Sequence, residues 1–285
     1  MFFPRSEPTA AMKTLLADRL RFSVSRLFRS RGRALWASAL VSVLLVVLAV
    51  PARAEETGGG NALAREMLLR ADRIRFPDQG FRVDVTITTT QPGSEPEVRA
   101  YRILSKGNTR TLVQTTAPAI DRDQILLMRD RDLWAFLPNL SQPIRLPLAQ
   151  RLTGQVANGD LARANFSGDY EPTLLRRETI DGETYQVLQL DAVDKWVTYR
   201  RVIYWVNASS FRPFRAEYYA LSGRLLKTAR YQDFKSLGGA IRPTRLVIDD
   251  ALRQGNRSIL EYSNMVERDL PDKVFTKDYL KKLVP

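Results

Sequence analysis

Hydrophobic residues recur with a period of two over most of the chain beyond residue 80. From Phe81 to Thr88, apolar residues alternate with Arg, Asp and Thr, a pattern that predicts a strand with one buried face. In the segments 132–137 and 200–206 both alternating sets are apolar, so both faces of these strands should be covered. Turn-forming residues separate ten or more such segments, and the series predicts an antiparallel meander within one mainly β domain.

The first of these two apolar strands shows what the period leaves open. Trp134 and Phe136 share one face, while Leu133, Ala135 and Leu137 share the other. A period of two decides which side chains lie together, but it does not decide which face looks into the protein. The same choice stays open in the second strand.

A helical period precedes the first strand. An apolar stripe at spacings of three and four residues predicts a helix that packs on the sheet. The stripe consists of Leu63, Met67, Ala71 and Ile74. We expect this helix to begin at Asn61 as its N-cap, after a glycine-rich spacer, and to end near Arg75.

Two further segments depart from the strand pattern. Residues 147–175 keep no sustained period, and a long irregular segment inside a domain is usually a functional loop or a set of short helices. We therefore predict an irregular or partly helical cover there. At the C-terminal end, Thr276 should cap a short helix, with Phe275 and Leu280 meeting as a hydrophobic staple.

The first 54 residues have a different composition from the rest. They carry nine Lys or Arg residues against two acidic ones, then an uncharged run from Ala34 to Val50, then Ala52, Arg53 and Ala54. This order is typical of a secretory signal peptide cut after Ala54, and the alternative is a retained membrane anchor. In both cases residues 55–285 should form a single exported domain, which we expect in the periplasm.

The composition excludes several kinds of site. The chain has no Cys and no His, which removes disulfides, thiol chemistry, Ser/His/Asp triads and the usual zinc sites. Subtracting the net +7 of residues 1–54 from the formal charge of +13 leaves +6 for the exported part. An exported protein seldom meets nucleic acid, so we expect no nucleic-acid partner, and we predict no metal and no cofactor.

Paired carboxylates are the remaining candidates for catalysis. The pairs are Asp121 with Asp123, Asp130 with Asp132, and Asp249 with Asp250. Each pair falls at a predicted turn or strand end, where Asp commonly caps the backbone. An enzyme would need a carboxylate-only mechanism such as glycoside hydrolysis, and we predict no catalytic residue.

An ordered series of motifs carries a family resemblance. The series reads "YRILSKGNTRTLVQTTAP" from Tyr101, "QILLMRDRDLWAFLPNLSQPIRL" from Gln124, "RRVIYWVNASSFRPFRAEYY" from Arg200, "SGRLLKTARYQDF" from Ser222 and "LPDKVFTKDYL" from Leu270. With these motifs, residues 61–283 resemble the periplasmic lipoprotein-sorting family of LolA/LolB-like carriers. One departure lies in the cover, where Ala164–Tyr170 stands in place of the Gly-Ser-Asp-Phe-Ser-Tyr-like segment of the outer-membrane lipoprotein-sorting branch.

The resemblance implies a half-open antiparallel β-barrel whose apolar concave face is covered by helices and receives acyl chains. The cavity candidates are Trp134, Phe136, Leu137, Tyr204, Trp205, Phe214 and Tyr218. The lid candidates are Leu63, Met67, Leu161 and Phe166. The family's lid-closing arginine has three candidates here, Arg99, Arg102 and Arg110.

Our leading hypothesis is a monomeric, non-enzymatic periplasmic carrier of lipoprotein acyl chains or lipids. Its partners would be an inner-membrane transporter as donor and an outer-membrane acceptor. Exposing a lipid chain to water costs about 0.8 kcal/mol of free energy per CH₂, which is on the order of 10 kcal/mol for a sixteen-carbon chain. A carrier therefore requires a large apolar cavity. The alternative is a membrane-linked periplasmic lipid sensor or an accessory subunit of a lipid exporter, which retention of the segment Ala34 to Val50 would favour.

Overall fold

The computed structural model describes residues 56–107, 109–138 and 140–280. The predicted signal or anchor segment at residues 1–54 lies outside these residues. No helix in the described ranges combines the length and the hydropathy needed to cross a membrane.

The strands outnumber the helices, as the period-two pattern predicts. The helices are α1 (Glu56–Arg75), α2 (Asn158–Ala162) and α3 (Lys277–Leu280), with 3₁₀ turns at Ala119–Asp121 and Asp272–Phe275. The strands are β1 (Phe81–Thr90), β2 (Glu97–Lys106), β3 (Arg110–Ala117), β4 (Ile125–Arg129), β5 (Asp132–Phe136), β6 (Ile144–Leu146), β7 (Arg151–Thr153), β8 (Val156–Ala157), β9 (Tyr170–Ile180), β10 (Glu183–Ala192), β11 (Arg201–Asn207), β12 (Pro213–Tyr219), β13 (Leu225–Leu237), β14 (Ala240–Asp250) and β15 (Arg257–Glu267).

Thirteen of the strands form one antiparallel sheet in the order β6-β5-β4-β3-β2-β1-β15-β14-β13-β12-β11-β10-β9. The pairing of β1 with β15 joins the first and last strands of the chain, while β6 and β9 remain as the two edges. The sheet is therefore open rather than closed into a barrel. This agrees with the predicted mainly β fold and the half-open barrel that the resemblance implies.

The inner face of the sheet is the one on which α1 and α2 pack. In β1 it carries Phe81, Val83, Val85 and Ile87, all buried, which confirms the alternation predicted there. On the opposite half, the side chains of β10 to β15 add to the same hydrophobic core. Helix α1 contributes Ala64, Met67, Leu68 and Ala71 to this core.

Helix α1 differs from its prediction at its start and in its stripe. It begins at Glu56 instead of Asn61, because glycine lowers helix propensity without forbidding a helix, and it ends at Arg75 as expected. The buried stripe is rotated toward Ala64 and Leu68, whose alignment with Ala71 lets the helix lie close to the sheet. Leu63 is 40% exposed as a result.

Strand β14 contains a proline, Pro243, although proline is usually confined to edge strands. The strand lies inside the sheet between β13 and β15. The β14 and β15 ladder runs only from Arg245 to Asp249, whereas the ladder with β13 continues to Ala240. Pro243 therefore lies where β14 has one neighbour, and its missing N–H interrupts no ladder on the β15 side.

A second, smaller core lies on the outer face of β3 to β5. Leu112, Ile125, Leu127 and Phe136 pack there against the C-terminal segment. That segment contributes Leu270, Phe275 and Leu280, and the Thr276 hydroxyl accepts a hydrogen bond from the Tyr279 N–H at 3.3 Å. The predicted cap is present, and both residues of the predicted staple are buried in the same cluster.

Truncating Phe275 tests the energetic weight of this outer core. Phe275 is 1% exposed, so Phe275→Ala should lower the free energy of unfolding by about 3 kcal/mol through lost burial and an unfilled cavity. Urea denaturation measures the change. The control is Ile120→Ala, since Ile120 is 90% exposed and its truncation should change stability by less than about 0.5 kcal/mol. Equal effects of the two variants would contradict the assignment.

Candidate functional site

An aromatic cluster occupies the centre of the inner face. The Phe166 ring lies 5.1 Å from the Tyr204 ring and 5.6 Å from the Tyr170 ring, both edge-on. Tyr218 lies 6.4 Å from Phe166, and Tyr231 lies 6.0 Å from Tyr204. Tyr204, Tyr218 and Tyr231 come from three neighbouring strands, whereas Phe166 comes from the segment that covers them.

This cover consists of residues 147–169 and runs from the edge strand β6 to the other edge strand β9. It ends before the predicted bound of residue 175, because Tyr170 to Leu175 already belong to β9. It contains the two-stranded hairpin of β7 and β8, helix α2, and the loop that ends at Asp169. Its apolar side chains at Leu148, Val156, Leu161 and Phe166 are buried in the inner core. The cover therefore fills the inner face with its own side chains.

A buried ion pair at the end of α1 holds the loop of the cover. Asp72 accepts hydrogen bonds from the backbone N–H groups of Phe166 at 3.0 Å and Ser167 at 2.7 Å. Arg75 lies 3.2 Å from Asp72 and donates to the Ala164 carbonyl at 2.5 Å. Both charged side chains are at least nine-tenths buried. We call Asp72 and Arg75 the helix clasp.

The guanidinium of Arg75 also lies against aromatic rings. Its Cζ is 4.7 Å from the centre of the Phe166 ring and 5.4 Å from that of Tyr231, within the range of cation–π attraction. The helix clasp therefore fixes both the backbone of the cover loop and its central aromatic side chain.

A second buried ion pair holds helix α2. Lys227 of β13 lies 2.5 Å from Asp160 and donates to the Gln155 carbonyl at 2.9 Å. The Tyr199 hydroxyl donates to Asp160 at 2.9 Å, and Asp160 also accepts from the Ala157 N–H at 2.8 Å. We call Asp160, Lys227 and Tyr199 the sheet clasp.

Burial shifts the pKa values of both clasps. Burial raises the pKa of Asp72, and this is opposed by Arg75 and by the two backbone donors. Burial alone would lower the pKa of Arg75, but the nearby tyrosines and Asp72 raise it above its ordinary value, so Arg75 stays charged. Burial lowers the pKa of Lys227 against the opposing charge of Asp160. Asp72, Arg75 and Lys227 are therefore each stabilised in their charged form by an oppositely charged partner.

Ion pairs also connect the turn between β4 and β5 to the cover and to the loop after β10. Arg131, in the turn between β4 and β5, pairs with Asp169 at 3.2 Å and with Asp194 at the far end of β10. Arg163 of the cover pairs with the same Asp169 and donates to the Asp130 carbonyl at 2.7 Å. The cover is thus held at the edges as well as at its centre.

Little space remains between the cover and strands β1 and β2. A cleft between the cover and β1 and β2, lined by Phe76, Phe81, Ile103 and Leu161, has a volume of about 20 Å³. This is room for about one water molecule. The inner face is therefore filled where the cover meets β1 and β2.

Five of the eleven predicted site residues lie on the inner side of the sheet or in its cover. Tyr204 and Tyr218 line the inner face, and Met67, Leu161 and Phe166 pack on it from α1 and the cover. The structure brings these five together in one core. Their contact with a ligand stays a prediction.

The other predicted residues lie elsewhere. Trp134 and Phe136 belong to the outer core, and the Lys277 ammonium is 3.9 Å from the centre of the Trp134 ring. Leu137 is half-buried just after β5, and Leu63 is exposed on α1. The inner side of β5 is instead formed by Leu133.

Trp205 and Phe214 also face outward. The Trp205 ring lies 3.9 Å from Arg215 Cζ, and its N–H donates to Glu178 at 2.7 Å. A bulge pairs Val206 with Pro213, and Phe214 stacks on the outer residue Tyr185 at 4.6 Å. Trp205 is buried by arginine side chains rather than by the inner core.

The three arginines considered for lid closure do not touch the cover. Arg99 pairs with Asp121, Arg102 with Asp84, and Arg110 with Asp272. Arg75 makes the contact with the cover instead. One sequence signal points to it: Asp72 and Arg75 lie four residues after Leu68 and Ala71, so two charges fall on the apolar stripe of α1.

The paired aspartates have local structural partners. Asp121 pairs with Arg99, Asp132 with Arg145, and Asp249 with Arg257. Asp250 accepts hydrogen bonds from the Leu252 and Arg253 N–H groups. Within the described residues, no cluster of three acidic side chains is arranged to hold a metal ion.

Replacing Asp72 by Asn should release the cover before the sheet unfolds. The change leaves Arg75 buried without its counter-charge and weakens the hydrogen bonds to Phe166 and Ser167, at a cost of about 3 kcal/mol. Hydrogen–deuterium exchange should accelerate at the Phe166 and Ser167 amides, while β14 stays protected.

The matched control for this variant is Asp78→Asn. Asp78 pairs with Arg73 on the surface, where both side chains are more than 60% exposed, so its loss should change stability by less than about 0.5 kcal/mol. If Asp72→Asn accelerated exchange in β14 as much as in the cover, the helix clasp would be part of the global core instead of a fastening for the cover.

Comparisons with known proteins agree on this architecture. A family model described as "Uncharacterized protein" matches residues 107–282, and no curated protein gives a significant match.

Two solved structures share the fold at low identity. A DUF1329 family protein of Desulfovibrio piger is 21% identical over 78% of this chain and 99% of that chain, with a TM-score of 0.67. An outer membrane lipoprotein-sorting protein domain of Vibrio parahaemolyticus is 20% identical over 79% and 99%, with a TM-score of 0.65.

A third solved structure is much closer in sequence. It is a LolA superfamily protein of Nitrosomonas europaea, 56% identical over 76% of this chain and 98% of that chain, with a TM-score of 0.74. Identity of this level over nearly the whole of that protein is enough to assign the family. The chain therefore belongs to the LolA superfamily.

Proposed function

We propose that this protein is a non-enzymatic periplasmic carrier of lipoprotein acyl chains or lipids, which it binds on the inner face of the open sheet. The observation that carries the proposal is an apolar, aromatic-rich face filled by a separate cover. Membership of the LolA superfamily and the shared fold with an outer membrane lipoprotein-sorting protein domain support it.

The cover supplies a substitute for the cargo. Phe166 and Leu161 of the cover occupy the inner face. When the cover opens, these side chains leave the face and the acyl chain takes their place. A sixteen-carbon chain gains on the order of 10 kcal/mol on leaving water. That gain is large enough to offset the opening of both clasps, because an intact buried ion pair adds little net stability and both of its charges regain water when it opens.

In the open state, Tyr204, Tyr218 and Leu188 would line the bound chain. Their positions on three adjacent strands give a continuous surface, and the tyrosine hydroxyls remain available to polar groups of the cargo. Directional transfer from an inner-membrane transporter to an outer-membrane acceptor is the role that this binding would serve. Trp134, Phe136, Trp205 and Phe214 would support the sheet from outside.

A reversible lock on the cover tests the proposal. A Cβ atom placed on Gly159 of α2 would lie 3.0 Å from the Cβ of Thr198 in the loop after β10. Disulfides span about 3.8 Å between Cβ atoms, so a shift of less than about 1 Å closes one between Gly159→Cys and Thr198→Cys. Because the chain has no other Cys, the bond formed is unambiguous.

The oxidised double variant should not bind a fluorescent fatty-acyl probe, and reduction should restore saturable binding. The reduced form of the same protein is the matched control, and circular dichroism of both forms checks that the fold is retained. Equal binding by the oxidised and reduced forms would show that acyl chains do not enter beneath the cover. Absence of binding in the reduced form and the unmodified chain would reject the carrier function itself.

A further inference from the structure

Three consecutive hairpin loops at one end of the sheet each expose a large apolar side chain. They join β10 to β11, β12 to β13 and β14 to β15, and the antiparallel order brings all three out at the same end. Their tips carry Trp196, Leu221 and Leu252, which are 63%, 84% and 50% exposed. Successive hairpins are two strands apart, so the tips are spaced at about 10 Å along the rim.

Local hydrogen bonds hold each apolar tip in place. The Asp194 carboxylate accepts from the Trp196 N–H at 2.8 Å, and the Asp250 carboxylate accepts from the Leu252 N–H at the same distance. The third loop is closed by the Ala220 N–H, which donates to the Arg224 carbonyl at 3.0 Å. The exposed side chains are therefore presented by ordered turns.

Each tip also carries an exposed cation. Lys195 lies 5.0 Å from the centre of the Trp196 ring, Arg224 follows Leu221 in its turn, and Arg253 is next to Leu252. Within the described ranges, no carboxylate lies at ion-pair distance from any of these three cations, whereas Asp194 in the same rim is paired with Arg131. The rim formed by the three tips therefore presents three cations without an ion-pair partner, while the Asp250 carboxylate in the third tip is bonded to backbone N–H groups.

We infer that this rim docks on a bilayer surface that carries anionic headgroups. Separate apolar tips about 10 Å apart suit insertion between lipids better than a continuous protein interface, where exposed apolar groups form one patch. Trp at the interface level and cations near anionic lipid are both favourable there. The inference does not depend on the proposed carriage, since it concerns a different surface of the molecule.

Docking in this orientation would also place a cavity next to the membrane. A cavity of about 160 Å³ opens at this end and is lined by Leu252, Tyr199 and Lys227. Two of these residues belong to the sheet clasp, so the end that approaches the bilayer is the end at which α2 is fastened.

Site-specific labelling of the full chain tests the inference. Since the chain has no Cys, an environment-sensitive fluorophore can be attached at Ser222→Cys in the rim, or at Ser210→Cys in the loop at the opposite end. With vesicles containing 30% phosphatidylglycerol in phosphatidylcholine, the Ser222 label should shift to the blue and be quenched by brominated lipid. The Ser210 label should show neither change.

The charge contribution is tested in the same labelled protein. Each cation near an anionic surface contributes about fivefold to binding, so Lys195→Gln, Arg224→Gln and Arg253→Gln together should weaken the vesicle titration at Ser222 about 100-fold. Equal responses of the two labels, or a titration unchanged by the triple variant, would overturn the inference. A Ser222 label that stays exposed to water would also overturn it and would point to a protein as the occupant of the rim.

Discussion

The position of the cover depends on the Asp72 carboxylate, which accepts hydrogen bonds from the Phe166 and Ser167 amides. Phe166 is the central ring of the inner aromatic cluster, so its backbone position decides whether the inner face is filled. Arg75 completes the arrangement through the Ala164 carbonyl. One turn of α1 therefore positions a loop that is more than ninety residues away along the chain.

Buried ion pairs are well suited to fastening a cover that has to move in the proposed function. Desolvation of both charges offsets most of their attraction, so an intact pair adds little net stability, whereas a broken one is costly. The ion pair then selects one position of the cover loop while adding little to its stability. A purely apolar contact of the same area would hold the cover more strongly and would not select one position of the loop. The sheet clasp follows the same logic at α2, where Asp160 satisfies Lys227, Tyr199 and a backbone amide together.

The period of two predicted most of the sheet, because alternation is a local property. The strands at 132–137 and 200–206 were predicted within a residue or two, and the family resemblance is confirmed by the Nitrosomonas europaea protein. The period did not reveal which face of each strand lies on the inner side of the sheet. Trp134 and Phe136 face outward because the C-terminal segment covers them, and a β-bulge stacks Phe214 on the outer residue Tyr185. Both are non-local effects.

The helix clasp was missed for a related reason. Asp72 and Arg75 lie on the apolar face of α1 at helical spacing, which is a readable signal, but their partners are backbone groups of the cover that no sequence pattern reveals. The predicted stripe ran through Leu63 and Ile74 and included neither charge. Once Ala64 and Leu68 define the buried face, the two charges cannot be solvated, and burial requires that each find a partner. A charged residue that continues an apolar stripe is therefore a stronger guide to a fastening point than the apolar residues around it.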